Sequence, residues 1–365
     1  MKPQLTNTAK EALEKQQYRI VGDHTAVKTC HWTKSMIRGK LGCYKLTFYG
    51  IMSNQCLQMS PSISCANRCS FCWRDYKSPV SKEWKWSVDD PKKIIDESIL
   101  AHHKLLVGFK GNEKANKSVY QSSNTVKHVA LSLTGEPIIY PKLNKLLDLF
   151  NKQNISTFLV TNAQYPDQIR DLKPVTQLYI SLDAPNKELL KTIDNPLFDD
   201  YWDRLLQSLE YLAKKNQRTT IRLTVIKGIN DMNLEKYAEL INKGKPDFIE
   251  VKAYMFVGAS TKRLKWENMP EHKDVVSYSK KLNTLLEDYE IVSEHIPSRV
   301  IMLARKEFKI NNKWHTWIDF PKYHNLVNSK KPFSALEYSK ETPKKWSGIE
   351  QSSKKESEDE MSIVE

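Results

Sequence analysis

All six cysteines of this 365-residue chain lie between Cys30 and Cys72. Cys65, Cys69 and Cys72 follow the spacing C-x3-C-x2-C. Three thiolates on one short loop can hold three irons of a 4Fe-4S cluster and leave the fourth iron open to an exchangeable ligand. Cys30, Cys43 and Cys56 follow C-x12-C-x12-C, and three ligands again leave one position open. Zinc is the competing structural reading, although a closed zinc site takes four ligands, commonly as paired C-x2-C or C-x2-C with His. A disulfide framework would not gather at one end of so long a chain, and a reducing cytosol would open it.

The cysteines share their segment with an unusual run of charge. Between His24 and Arg74 there is no Asp or Glu, while Lys28, Lys34, Arg38, Lys40, Lys45, Arg68 and Arg74 are all positive. A solvated basic surface is the plain reading of such a run. The whole chain carries 57 Lys+Arg against 43 Asp+Glu, a net charge of +14, which points to an acidic partner: RNA, DNA or an anionic membrane. There is no run of about 18 apolar residues and no apolar stretch of the secretory kind at the N-terminus, so the expectation is a soluble, cytoplasmic protein without a membrane partner.

The elements that must position these residues read as repeated βα units. Short apolar runs at 58–64, 126–133, 156–160, 177–182, 218–226 and 247–254 alternate with helical stretches near 89–107, 141–152, 166–172, 201–215, 234–242 and 272–288. Six such repeats predict an α/β fold, a TIM-like barrel that is either partial, (βα)6, or full, with the chemistry at the C-terminal ends of the strands. The expected organisation is an N-terminal extension over 1–57 carrying the first cysteine trio, the barrel over 58–295, a C-terminal extension over 296–340, and a disordered tail over 341–365, where little can be buried. Residues 104–124 read as a surface excursion.

With Phe71 in the aromatic position, Cys65, Cys69 and Cys72 resemble the signature C-x3-C-x-aromatic-C of the radical S-adenosylmethionine enzymes. The resemblance implies a radical SAM barrel, a 4Fe-4S cluster on these three cysteines, and S-adenosyl-L-methionine chelated at the open iron, whose cleavage releases a 5'-deoxyadenosyl radical. Thr134, Gly135 and Glu136, in LSLTGEP, resemble the family's Gly-Gly-Glu segment, with Thr134 replacing the first Gly, and Glu136 would bind the methionyl ammonium. Thr161 and Asn162 end the third strand, Ser181 and Asp183 the fourth, where polar groups would meet the methionyl or ribose parts. Arg222, on the fifth, would pair with the methionyl carboxylate. Taken singly, such residues are turn and cap formers; their shared place at strand ends is what groups them.

The two trios in succession, with Cys43-Tyr44-Lys45 at the middle cysteine, and the segments TNAQYP, QLYISLDAP, RLTVIKGIND and EVKAYMFVGAS narrow the resemblance to the 4-demethylwyosine synthase family of the tRNA wyosine pathway. That family converts N1-methylguanosine at position 37 of tRNA(Phe) into 4-demethylwyosine with pyruvate as co-substrate. The resemblance implies a second 4Fe-4S cluster on Cys30, Cys43 and Cys56, and a Schiff base between Lys45 and pyruvate. A lysine attacks a carbonyl only as the free amine, so its pKa must fall; Arg38, Lys40 and Arg68 are the expected cationic neighbours. The anticodon loop would dock on basic and aromatic residues among Lys28, Lys34, Arg38, Arg263, Lys265, Trp266, Trp314, His315, Trp317 and Tyr323. Only 29 residues precede Cys30, so the expectation is a monomer of the archaeal type, without a flavodoxin domain and served by a separate flavodoxin- or ferredoxin-type electron donor. Two alternatives stay open: a radical methylthiotransferase acting on tRNA, and a non-catalytic zinc-containing RNA-binding protein. Anaerobically reconstituted protein is expected to be brown and to hold about eight irons. Stoichiometric zinc without colour would defeat the enzymatic reading.

Overall fold

The structure, a computed structural model, describes Leu5 and residues 7–75 and 77–349. The strands β1 (Arg19–Val21), β2 (Thr25–Val27), β3 (Cys56–Ser60), β4 (His128–Leu131), β5 (Ser156–Thr161), β6 (Gln177–Ser181), β7 (Arg218–Val225), β8 (Phe248–Ala253), β9 (Tyr289–His295) and β10 (Val300–Arg305) form the main sheet in the order β1-β2-β3-β4-β5-β6-β7-β8-β10-β9, and two-residue strands pair separately at 309–314 and between 317–318 and 339–340. β3 to β8 are parallel and adjacent in sequence order, the partial, six-stranded form of the barrel that the repeats predict. Parallel neighbours need long crossovers. These carry α4 (Pro91–Leu106) and α5 (Lys117–Ser122) after β3, α6 (Leu143–Lys152) after β4, α7 (Pro166–Arg170) after β5, α8 (Lys187–Asp194) and α9 (Tyr201–Leu212) after β6, and α10 (Leu234–Gly244) after β7; α11 (His272–Asn283) joins β8 to β9. The remaining helices are α1 (Asn7–Lys15), α2 (His31–Ile37), α3 (Tyr44–Tyr49) and α12 (Phe320–Ser329).

Two boundaries differ from expectation. The antiparallel hairpin β9–β10 adds to β8, so the sheet runs through the boundary expected at residue 295; charged residues within β9 disguise it as loop. The tail expected to be disordered from 341 is ordered as far as it is described. Thr342 is buried against Thr316, and the Gly348 N–H donates to the Val292 carbonyl at 2.7 Å. Residues 350–365 lie outside the described residues. The excursion at 104–124 is also tied down, since the Asn54 amide donates to Ser122 and to the Val119 carbonyl.

Side chains alternate along each strand, and the two faces have different tasks. Leu57, Val129, Leu159, Leu178, Ile221 and Ile249 pack under the helices. On the inner face, Phe158, Tyr179, Phe248, Val300 and Met302 gather around Tyr44, Phe48 and Tyr49 of α3. The extension that carries the first cysteine trio therefore fills the barrel with a helix. The C-terminal segment latches that helix: the Trp317 indole N–H donates to the Thr47 carbonyl at 3.0 Å and the Thr316 hydroxyl to the Phe48 carbonyl at 2.7 Å. Trp317 lies so close to Gly50, which ends α3 at φ +78°, that a Cβ there would come within 2.8 Å of the ring.

The floor of the barrel is Arg218, fully buried, with its guanidinium 4.4 Å from the centre of the Phe248 ring. It donates to the Thr316 carbonyl at 2.5 Å, to Ser339 at 2.6 Å and to Gln177 at 3.3 Å. Arg218→Met is expected to lower unfolding free energy by roughly 3 kcal/mol, since charge-assisted hydrogen bonds are lost and acceptors stay buried. Denaturant midpoints check this, and hydrogen exchange over 313–342 is expected to rise with it.

Candidate functional site

The second cysteine trio sits on the loop that leaves the C-terminal end of β3, and backbone bonds fix that loop to the far side of the barrel. The Arg68 and Ser70 N–H groups donate to the Asp194 and Ile193 carbonyls at 2.9 and 2.7 Å, at the end of α8, and Leu197 N–H donates to the Ala66 carbonyl at 2.8 Å. Arg263 donates to the Ser70 carbonyl at 2.9 Å and also to that of Cys72. Gly135, at φ +67°, lies against the strand-to-loop segment, where a Cβ would come within 2.2 Å of the Ser62 carbonyl oxygen. Phe71 is half-buried and packs on the main core.

Of the residues expected around this loop, the structure brings several together. Glu136 is buried; its carboxylate accepts from the Asn162 N–H at 2.8 Å and the Ile138 N–H at 3.3 Å, with the Thr161 hydroxyl also bonded to it. Burial nevertheless pushes its pKa up to about 7. The Asn162 amide reaches the Cys65 sulfur at 3.5 Å. Thr134 is buried at the end of β4, and Ser181 is half-exposed at the end of β6. Asp183 is buried and bonded to Thr224, with one carboxylate oxygen unpartnered among the described residues; burial raises its pKa to about 7. Asp194, not singled out from the sequence, stands beside Cys69 and accepts from the Asn67 amide at 3.2 Å.

Arg222 acts electrostatically on Asp183 of this group, but its hydrogen bonds point elsewhere. Its guanidinium pairs with Glu250 at 3.0 Å and donates to the Tyr44 hydroxyl at 2.7 Å, which commits it to the barrel interior. Glu250 also accepts from Tyr44 at 3.1 Å and from Tyr49 at 2.9 Å. Within the same interior, the Lys45 ammonium lies 4.7 Å from the centre of the Tyr179 ring and 5.7 Å from that of Phe158. Burial lowers its pKa and the charge of Arg222 lowers it further, while Glu250, Cys43 and Cys56 oppose. The cationic neighbour is thus Arg222, rather than Arg38, Lys40 or Arg68. Glu250 and Lys252 escaped notice from the sequence, yet two charges spaced by two in the apolar strand FIEVKA announce a polar inner face.

The three thiols of the first trio interact electrostatically with one another, as do those of the second. All six are free and half-buried. Cys30 and Cys43 immediately precede α2 and α3 in extended conformation. Burial raises both thiols, Cys43 to about 12, and Cys56 and Cys65 also to about 12, so metal loading must displace protons. Among the described residues no three His, Cys, Asp or Glu side chains converge closely enough for one metal ion. A 4Fe-4S cluster does not ask for that convergence, because each thiolate binds its own iron; two gathered sets of three soft ligands fit two such clusters.

Among the expected RNA contacts, Tyr323 is fully buried, with its hydroxyl on Asn151, and is core. Trp317 latches α3 and Arg263 holds the cysteine loop. Lys28 lies over Tyr18, and Trp314 and His315 are half-buried beside the small hairpin at 309–314. Arg38, Lys40, Lys265 and Trp266 are exposed. A separate lysine-lined cavity of about 710 Å³, bordered by Lys152, Lys173, Lys215 and Lys331, opens at the N-terminal ends of the strands, at the other end of the barrel. No helix among the described residues is long and apolar enough to cross a membrane.

A parallel barrel with a C-x3-C-x2-C loop after its first strand defines the radical S-adenosylmethionine class, and residues 59–241 match the radical SAM superfamily, with the 4Fe-4S cluster and S-adenosylmethionine that membership implies. Residues 243–305 match a family described as wyosine base formation. The chain is 48% identical to the S-adenosyl-L-methionine-dependent tRNA 4-demethylwyosine synthase TYW1 of Xenopus laevis over 346 residues, 93% of this chain and 47% of that protein. It is 48% identical to the Oryza sativa subsp. japonica synthase over 342 residues, 93% and 52% respectively. The chain spans about half the length of the curated relatives it matches. Among solved structures, TYW1 with a lysine-pyruvate adduct bound superposes with a TM-score of 0.76 at 35% identity, covering 85% of this chain and 99% of that one; an archaeal TYW1 gives 0.69 at 33%, covering 84% and 99%. The chain belongs to the tRNA 4-demethylwyosine synthase family.

Gly135→Ala is expected to displace the loop and lower the iron content, since the four-iron site of the radical SAM loop is lost, while circular dichroism stays at the parent's level. Iron and sulfide assays on reconstituted protein check this.

Proposed function

We propose that this chain converts N1-methylguanosine at position 37 of tRNA(Phe) into 4-demethylwyosine, with pyruvate as the source of two carbons. The observation that carries the reading is the setting of Lys45: a half-buried amine beside Cys43 and Cys56, faced by Tyr179 and Phe158, with Arg222 as its cationic neighbour. A family relative of known structure holds a lysine-pyruvate adduct, which supports assigning the same chemistry to Lys45.

Cys65, Cys69 and Cys72 would hold the cluster that binds S-adenosylmethionine, and Cys30, Cys43 and Cys56 a second one. When bound, the first cluster and its cofactor supply a 5'-deoxyadenosyl radical. The protein's own residues prepare the place. Burial and the Arg222 charge favour the free amine of Lys45, which attacks the pyruvate carbonyl carbon; the carbonyl oxygen leaves as water and an imine remains. The aromatic walls exclude water that would reverse that step. Glu136, Thr161 and Asn162 hold the strand ends next to Cys65 in one arrangement, which orients the polar groups that meet the cofactor. Exposed Arg38, Lys40, Lys265 and Trp266 supply phosphate contacts and a stacking surface for an unpaired base.

The test is an anaerobic assay with N1-methylguanosine-containing tRNA, pyruvate and S-adenosylmethionine, reading the nucleoside by mass. Lys45→Ala is expected to keep its iron and lose the product. Normal turnover by that variant would remove the imine role, and a sulfur-containing nucleoside would replace this reading with methylthiolation.

A further inference from the structure

The inner face of β8 carries a second lysine that the reading above leaves without a task. Lys252 stands one inward position beyond Glu250, about 7 Å further towards the C-terminal end of the strand. It lies opposite Thr224 of β7 and Val300 of β10. It interacts electrostatically with Cys43, Arg222 and Glu250, three of the four groups that act on Lys45, and also with Arg299, so the two ammonium groups face one chamber. Arg222 and Glu250 neutralise each other there. Lys45 and Lys252 are then left without a carboxylate of their own, while Arg299, which also acts on Lys252, is bonded to the Pro270 carbonyl.

The surroundings of Lys252 are polar and incompletely used. An ammonium has three donors, and among the described residues the Ser298 carbonyl, at 2.8 Å, is its one hydrogen-bond acceptor. The hydroxyl of Ser298 is buried without a partner, and the residue is 4% exposed. His295 shares a register row with Val300 and Lys252, is 6% exposed, and has an unpartnered Nδ1. Burial holds its pKa at about 4, so this ring is neutral and adds no competing charge. A half-buried ammonium with spare donors next to buried, unpartnered polar atoms is costly unless an anion completes it.

We propose that Lys252 holds the carboxylate of the 2-keto acid whose carbonyl Lys45 attacks, acting as a positioning residue that selects a keto acid over an uncharged ketone. This rests on the imine role of Lys45. In pyruvate the carboxylate is bonded directly to the reacting carbonyl carbon, so a cation in the same chamber as the amine can fix the angle of attack and supply the charge pairing that the buried anion needs.

The experiment is reductive trapping on the reconstituted holoenzyme under anaerobic conditions without tRNA. Cyanoborohydride delivers hydride to the protonated imine and leaves a secondary amine on Lys45, a mass gain of one pyruvic acid less one oxygen. Peptide mass spectrometry locates it. Initial trapping rates are compared for pyruvate and for acetone in the parent, Lys252→Met and Lys252→Arg. Lys252→Met is expected to slow pyruvate trapping by roughly tenfold or more, the scale of a charge-assisted hydrogen bond. Acetone trapping should be unchanged, and Lys252→Arg should restore a good part of the pyruvate rate. Equal pyruvate rates in parent and Lys252→Met overturn the proposal and leave the Lys45 reading intact. Equal losses with both ketones overturn it as well, because they mark a disturbed chamber rather than a lost carboxylate contact. Absence of any pyruvate adduct on Lys45 in the parent overturns the imine reading itself, and this proposal with it.

Discussion

A carboxylate sealed inside a barrel is the constraint on which this molecule is built. Glu250 is fully buried, and a lone buried charge costs several kcal/mol. It is tolerable because three donors from two distant parts of the chain meet on it: Arg222 from the neighbouring strand, and Tyr44 and Tyr49 from the helix of the N-terminal extension. The extension therefore cannot rest on the outside of the barrel without exposing this debt. Because Lys45 follows Tyr44 directly, the bond that satisfies Glu250 also aims the amine, and because Cys43 precedes Tyr44, the same bond locates the first thiol trio.

The two trios are held by different means. Cys65, Cys69 and Cys72 ride on a loop whose backbone is stitched to α8 and pressed by Gly135, so main-chain hydrogen bonds carry the load. Cys30 and Cys43 stand at the starts of two short helices and Cys56 begins a strand, so three regular elements must be packed before the set exists. The loop is a local structure completed by the barrel. The first trio is a product of tertiary packing, and it depends on the latch from Thr316 and Trp317 to α3.

Much of this was legible in the sequence. The parallel strands declared themselves because buried strands are short, apolar and separated by helical stretches, and Thr161, Asn162 and Asp183 fell at strand ends as the period requires. What the sequence hid were pairings across the barrel. Arg222 looks like a free cation until Glu250, 28 residues later, is seen to face it in register. Tyr323 and Trp317 read as stacking aromatics in a basic stretch, but one is core and the other clasps a helix. The segment before residue 350 is poor in apolar side chains, and it is ordered by backbone bonds to β9 that composition does not report.

The filling of the barrel by α3 also makes its two ends unlike. From below, the interior is shut by fully buried Arg218, Tyr49 and Phe248, while Ser181, Arg222 and Lys252, nearer the C-terminal strand ends, are only partly buried. One six-residue helix thus decides which end of the barrel is solid core and which end keeps its charged side chains within reach of solvent.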